Sequence, residues 1–128
     1  MPKAMVVDDS RAIRMILAKT LSSLGFEVSQ ACNGKEALSK LPTLMDEPDA
    51  PLQLVLVDWN MPEMNGLEFV QQVRSEKDYE DVKLMMVTTE TQIEQMARAI
   101  SAGADEYVMK PFTEEVISDK LRLLGIVE

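Results

Sequence analysis

Short apolar runs of strand length alternate along this chain with segments of helical period. Met5-Val6-Val7, Leu54-Val55-Leu56-Val57 and Tyr107-Val108-Met109 are unbroken, as in strands buried on both faces. Strands are expected at 3–7, 26–30, 52–57, 83–88 and 105–109. Over 10–24, Ile13, Ile16, Leu17, Leu21 and Leu24 keep the rhythm of one helix face, with Ser10 as N-cap and Gly25 just past the end. A second helix over 33–41 carries Ala37, Leu38 and Leu41 behind Asn33-x-x-Glu36, the arrangement of a capping box. Phe69, Val70 and Val73 mark a third helix after Gly66, while Ile93, Met96, Ala97 and Ile100 mark a fourth, opened by Thr91-x-x-Glu94 and closed by Gly103. Ile117, Leu121 and Leu124 mark the last, capped by Thr113. Five such units predict an α/β fold, a doubly wound five-stranded parallel sheet with helices on both faces. Pro42 to Pro51, with three prolines and the acidic Asp46-Glu47-Pro48-Asp49, reads as an exposed loop.

Composition narrows the function. At 128 residues the chain holds one domain, expected over 1–128. A net charge of -9 argues against binding nucleic acid or an anionic membrane surface. No run approaches the roughly 18 apolar residues of a membrane span, and the start lacks the pattern of a signal peptide. A cytoplasmic location is expected. The single cysteine, Cys32, excludes an internal disulfide, and the lack of any histidine removes His-activated nucleophiles and the usual zinc ligand sets.

The ends of the apolar runs carry the chemistry. Asp8 and Asp9 follow the first, Asp58 the third, Thr88 ends the fourth, and Lys110 follows the fifth. In an open parallel sheet ligands bind beyond the carboxyl ends of the strands, so these residues share one rim. Each alone has a plain structural explanation, as a cap, a turn residue or a solvated charge. Together they raise an electrostatic problem, because two carboxylates about 4 Å apart repel by ~4 kcal/mol at an effective dielectric of 20. Lys110 supplies one positive charge, and oxygen donors suit Mg²⁺, which keeps waters and is commonly shared with a phosphate. Carboxylates are also nucleophiles toward phosphorus. Mg²⁺, Lys110 and Thr88 would then neutralise the three equatorial oxygens of a transferring phosphoryl group.

Asp8-Asp9, Asp58, Thr88 and Lys110-Pro111, with the stretch DWNMPEMNG over 58–66, resemble the receiver domain of bacterial two-component response regulators, most closely the stand-alone, CheY-like chemotaxis type. The resemblance covers essentially the whole chain and implies a flavodoxin-like sheet of order 2-1-3-4-5. It implies that Asp58 accepts a phosphoryl group from a phosphohistidine on a sensor histidine kinase or histidine phosphotransfer protein. Asp9 and Asp58 would hold Mg²⁺ with the backbone carbonyl of Asn60, and Asp8 would act through metal-bound water. Lys110 would pair with the phosphoryl oxygens, and the Thr88 hydroxyl would move to contact them. Tyr107 matches the family's switch aromatic, turning inward as Thr88 moves and biasing the surface of the fourth helix, fifth strand and fifth helix toward a protein target. Asn60 and Glu90 match positions that tune removal of the phosphate by water, and Lys110-Pro111 matches a turn that is often a cis peptide.

Three departures qualify the likeness. The loop 42–51 is longer than in the most compact members, Thr89 stands where a smaller residue is common, and Gln92 and Ile93 replace basic character associated with flagellar-motor binding. The expected function is a monomeric phosphoacceptor switch, whose only enzymatic content is its own phosphorylation and slow dephosphorylation. A phosphorelay shuttle and a receiver cut from a larger regulator are the alternatives within the family; no output domain follows the fifth helix within the chain. A Mg²⁺-dependent aspartyl-phosphate phosphatase is a third reading, against which Asn60 stands where such an enzyme carries its second acid.

Overall fold

The computed structural model describes residues 2–46, 50–89 and 93–126. Five strands, β1 (Lys3–Val7), β2 (Glu27–Ala31), β3 (Leu52–Val57), β4 (Lys83–Thr88) and β5 (Glu106–Met109), alternate with α1 (Arg11–Ser23), α2 (Gly34–Met45), α3 (Gly66–Arg74), α4 (Ile93–Ala102) and α5 (Glu114–Leu123). A 3-10 turn, Lys77–Tyr79, precedes β4. The sheet is parallel with order β2-β1-β3-β4-β5, as the resemblance implies.

The unbroken runs Met5–Val7 and Leu54–Val57 lie in interior strands because both faces are covered, whereas Tyr107–Met109 lies in β5 at the sheet's edge, where Met109 is exposed. β1, β3 and β4 are almost wholly buried, whereas β2, at the edge, is half exposed. One core cluster joins Met5, Val7, Val55, Val57 and Met86 to α2, α3 and α4. The other joins Ala4, Val6, Leu54, Leu56 and Met85 to α1 and α5. Successive residues of one strand therefore feed opposite clusters, as the period of two requires.

Local signals mark the helix ends as expected. The side chain of Ser10 accepts from the Ile13 N–H and that of Thr113 from the Val116 N–H, and Gly25 and Gly103 leave α1 and α4 with positive φ. Asn33 caps α2 by accepting from the Glu36 N–H, but Glu36 turns to Cys32, whose thiol donates to its carboxylate at 3.2 Å. The full capping box lies elsewhere, at Asn65 and Glu68 on α3. Thr91, the expected cap of α4, lies outside the described residues.

The expected loop 42–51 needs correction at its start. α2 runs through Pro42 to Met45. Proline forfeits one backbone hydrogen bond there, but Leu41 is fully buried and Leu44 and Met45 pack on the core, so apolar burial outweighs the loss. No helix among the described residues is long and apolar enough to cross a membrane.

Candidate functional site

Strand order reverses between β1 and β3, and the acids stand where these neighbours end. The register pairs Val7 with Val57, and the Asp58 N–H donates to the Val7 carbonyl at 3.0 Å, which sets Asp8 beside Asp58. Thr88 ends β4 opposite Met109, and the Lys110 N–H donates to the Thr88 carbonyl at 2.8 Å. Oxygens of Asp8, Asp9 and Asp58 all lie within 4.8 Å of one another. The Lys110 ammonium is 2.8 Å from Asp8 Oδ2 and 3.5 Å from Asp58 Oδ2. Asp8, Asp58 and Thr88 are buried, while Asp9 is exposed. The Lys110–Pro111 peptide is cis, as the resemblance implies.

The two buried carboxylates differ in how they are satisfied. Asp8 Oδ1 accepts from the Ser10 N–H at 2.8 Å and Oδ2 from Lys110, so both oxygens have donors. Asp58 Oδ1 is buried without a hydrogen-bond partner among the described residues. Burial pushes the Asp58 carboxyl above its ordinary value, and the Asp8 charge adds to this. The Thr88 hydroxyl, the Lys110 ammonium and the Asn60 backbone N–H pull the other way without cancelling it.

An Asp58 oxygen without a partner among the described residues, in a cluster with the exposed Asp9 carboxylate and a third acid whose oxygens are already taken, fits a hard cation ligated by oxygen. Asp9 and Asp58 have oxygens to give such an ion directly. Asp8, committed to Ser10 and Lys110, suits contact through water.

Tyr107 is buried at 6% exposure in the cluster that contains Ala99 and Met96 of α4. Thr88 is fully buried, and its hydroxyl stabilises the Asp58 carboxylate. Both residues of the expected switch pair are thus buried. Asn60 is exposed on the loop after Asp58, and Thr89 is exposed just past Thr88. Glu90 and Gln92 lie outside the described residues.

Three further features shape the site and its scaffold. Asn65-x-x-Glu68 was legible as a capping box and fixes the exit of the Asp58 loop. Gly66 lies so close to that loop that a Cβ on it would fall 2.3 Å from the Asp58 carbonyl oxygen. At the opposite end of the sheet, the Arg74 guanidinium donates to the carbonyls of Gly103, Tyr79 and Val82 and to Asp105 Oδ2, at 2.8 to 3.0 Å. Nothing local signals this last role, since an arginine ending a helix reads as a solvated charge.

Known proteins agree with the geometry. The family model of the response regulator receiver domain matches residues 4–122. Chemotaxis protein CheY1 of Helicobacter pylori is 42% identical over 123 residues, 95% of each chain. A chemotaxis protein CheY homolog of Campylobacter jejuni is 45% identical over 120 residues, 93% of this chain and 88% of that one. The solved structure of the chemotaxis response regulator CheY4 of Vibrio cholerae superposes with a TM-score of 0.86 at 35% identity, covering 97% of this chain and 98% of that one. With sheet order, acidic rim and sequence in agreement, the chain belongs to the response regulator receiver domain family of two-component signalling, whose members are switches and not classical enzymes.

Proposed function

We propose that this chain is a phosphorylation-controlled switch of the chemotaxis type, with Asp58 as phosphoacceptor and one receiver domain taking in residues 1–128. The observation that carries the reading is the buried Asp58 carboxylate, with one oxygen unpartnered among the described residues and the Lys110 ammonium 3.5 Å from the other. In the transfer, an Asp58 oxygen forms a bond to phosphorus while the P–N bond of the donor's phosphohistidine breaks. The electron pair returns to the imidazole nitrogen, which takes up a proton if the ring was not already protonated. A sensor histidine kinase or histidine phosphotransfer protein supplies this donor.

Each neighbour has a task. Lys110, tied to Asp8 and within reach of Asp58, offsets charge on the phosphoryl oxygens, and the Thr88 hydroxyl donates to another of them. A Mg²⁺ ion held by Asp9, Asp58 and the Asn60 carbonyl, with Asp8 acting through water, would neutralise the charge that remains. Asn60 offers an amide where a phosphatase would need an acid, so the phosphate persists as a signal, at a lifetime tuned by Asn60 and Glu90. The enzymatic content ends with the chain's own phosphorylation and slow dephosphorylation.

Readout runs through Thr88 and Tyr107 to the face of α4, β5 and α5. A groove of about 480 Å³ there is lined by Met96, Tyr107, Met109, Val116 and Lys120 among others, and a protein target binds this face when Asp58 is phosphorylated. Acetyl phosphate with Mg²⁺ should label the wild type and leave Asp58→Asn unlabelled. Equal labelling of both would refute the assignment. A pull-down comparing beryllofluoride-bound with free protein then identifies the target.

A further inference from the structure

Arg14, one turn into α1, is used by nothing described so far. Its guanidinium donates through Nη1 to the backbone carbonyl of Asp8 at 2.7 Å, and through Nε to Gln30 Oε1 on β2 at 3.3 Å. The ammonium of Lys40 on α2 donates in turn to the Gln30 carbonyl. The other polar groups of Asp8 are already held: its N–H donates to Ala31 O, and its carboxylate oxygens accept from Ser10 and Lys110. The Asp8 carbonyl shares a peptide plane with the Asp9 N–H. A donor fixed on that oxygen limits rotation of the Asp8–Asp9 peptide, and so limits where the Asp9 carboxylate can point.

The need for such a device follows from strand geometry. Consecutive residues leaving a strand point to opposite faces, so a second acid must be turned back before it can share a centre with Asp58. Asp8 is buried and pinned by its own side chain, whereas Asp9 is exposed and no hydrogen bond of its carboxylate is seen among the described contacts. We propose that Arg14 is a positioning residue for the metal site, acting through the Asp8 carbonyl to aim Asp9 at the centre it shares with Asp58. This rests on the reading of these acids as a Mg²⁺ site.

The two effects of Arg14 on a divalent cation have opposite signs. As a positive charge near the acids, it repels the ion. As a donor to Asp8, it orders a ligand. Removing it would tighten Mg²⁺ binding if charge alone mattered and weaken it if positioning dominates.

The test is Mg²⁺ titration by calorimetry and by the fluorescence of Trp59, which is buried next to Asp58. Arg14→Met should weaken Mg²⁺ affinity about tenfold, the low end of what removing a group that orients metal ligands costs. Arg14→Gln should do the same, and serves if the methionine variant melts near the assay temperature. Arg14→Lys, which keeps a donor of similar reach, should recover most of the loss. Arg11→Met is the control: it removes an equal charge from an exposed position at the start of α1 and should leave affinity unchanged or slightly tighter. Labelling of Arg14→Met by acetyl phosphate should be slow at low Mg²⁺ and return to the wild-type rate at saturation. Affinity equal to or tighter than wild type in both Arg14→Met and Arg14→Gln would overturn the inference alone. A wild type without Mg²⁺ affinity, or an Asp58→Asn variant that labels normally, would overturn the functional reading and this inference with it.

Discussion

Gly66→Ala adds one methyl group to the first residue of α3 and should disable the Asp58 loop. The Gly66 N–H donates to the Trp59 carbonyl at 2.8 Å, drawing the start of the helix onto the loop. A Cβ built there would lie 2.3 Å from the Asp58 carbonyl oxygen and 2.9 Å from Trp59 Cα. Both are backbone atoms, so no rotamer change relieves the overlap, and reaching an ordinary separation of ~3.5 Å requires a backbone shift of about 1 Å. Overpacking of this kind costs up to roughly 3 kcal/mol, against which alanine returns at most about 1 kcal/mol of helix propensity. The net loss of about 2 kcal/mol should lower Tm by roughly 8 °C for a domain of this size. Displacing the Asp58 carboxylate by about 1 Å should slow labelling about 100-fold.

Gly34→Ala makes the same change at the first residue of α2 and supplies the control. There the nearest atoms belong to the Met64 side chain, with Sδ 2.9 Å away, and a flexible thioether can move aside. Its stability should stay within about 0.5 kcal/mol of wild type, with normal labelling. Urea unfolding and acetyl phosphate labelling with Mg²⁺ measure both variants. A Gly66→Ala protein as stable and as readily labelled as wild type, or a Gly34→Ala protein equally damaged, would refute the reasoning.

Arg74→Met leaves three backbone carbonyls and the Asp105 carboxylate without their shared donor, and urea unfolding should show a loss of about 3 kcal/mol. Arg74→Lys should recover less than half, because an ammonium cannot reproduce the planar fork; labelling of the folded protein should be normal, since this lock lies at the far end of the sheet. Lys110→Met strips the cation from the buried Asp8 and should cost about 3 kcal/mol in EDTA, with part of the loss returned by Mg²⁺; a loss under about 1 kcal/mol would show the pair to be incidental. The Glu36 carboxyl is held below its usual range first by the Cys32 thiol and then by Lys40. A depressed acid stabilises the fold above its unfolded value and loses that contribution as pH falls through the depressed one. Glu36→Gln should therefore fall short of wild type most at neutral pH, with the gap closing below about pH 4, and Cys32→Ala should move the Glu36 titration upward by NMR.

Most of the fold was readable because the signals are local. Ser10, Asn33 and Thr113 cap helices within three residues of themselves, and unbroken runs such as Leu54 to Val57 declare a strand covered on both faces. Pro42 suggests a loop because its local cost is visible in sequence, while the burial of Leu41 and the packing of Met45 that outweigh it are not. Arg74 escaped for a related reason: its acceptors come from the segment before β4 and the turn before β5, and no window of sequence contains them all.

The sequence by itself determined which residues stand at strand ends, which acids and which amine share a rim, and that histidine chemistry is absent. Period, capping and composition are properties of short stretches, so they survive without coordinates. Only the tertiary structure decided that Lys110 reaches across 102 positions to hold Asp8, that Asp58 keeps one oxygen unpartnered, that Gly66 leaves no room for a methyl group, and that Arg14 braces the peptide between Asp8 and Asp9. The first two depend on strand pairing between distant segments, and the last two on how a helix packs back against the loop that leads into it; in each case a shift of an ångström changes the chemistry without altering any local pattern.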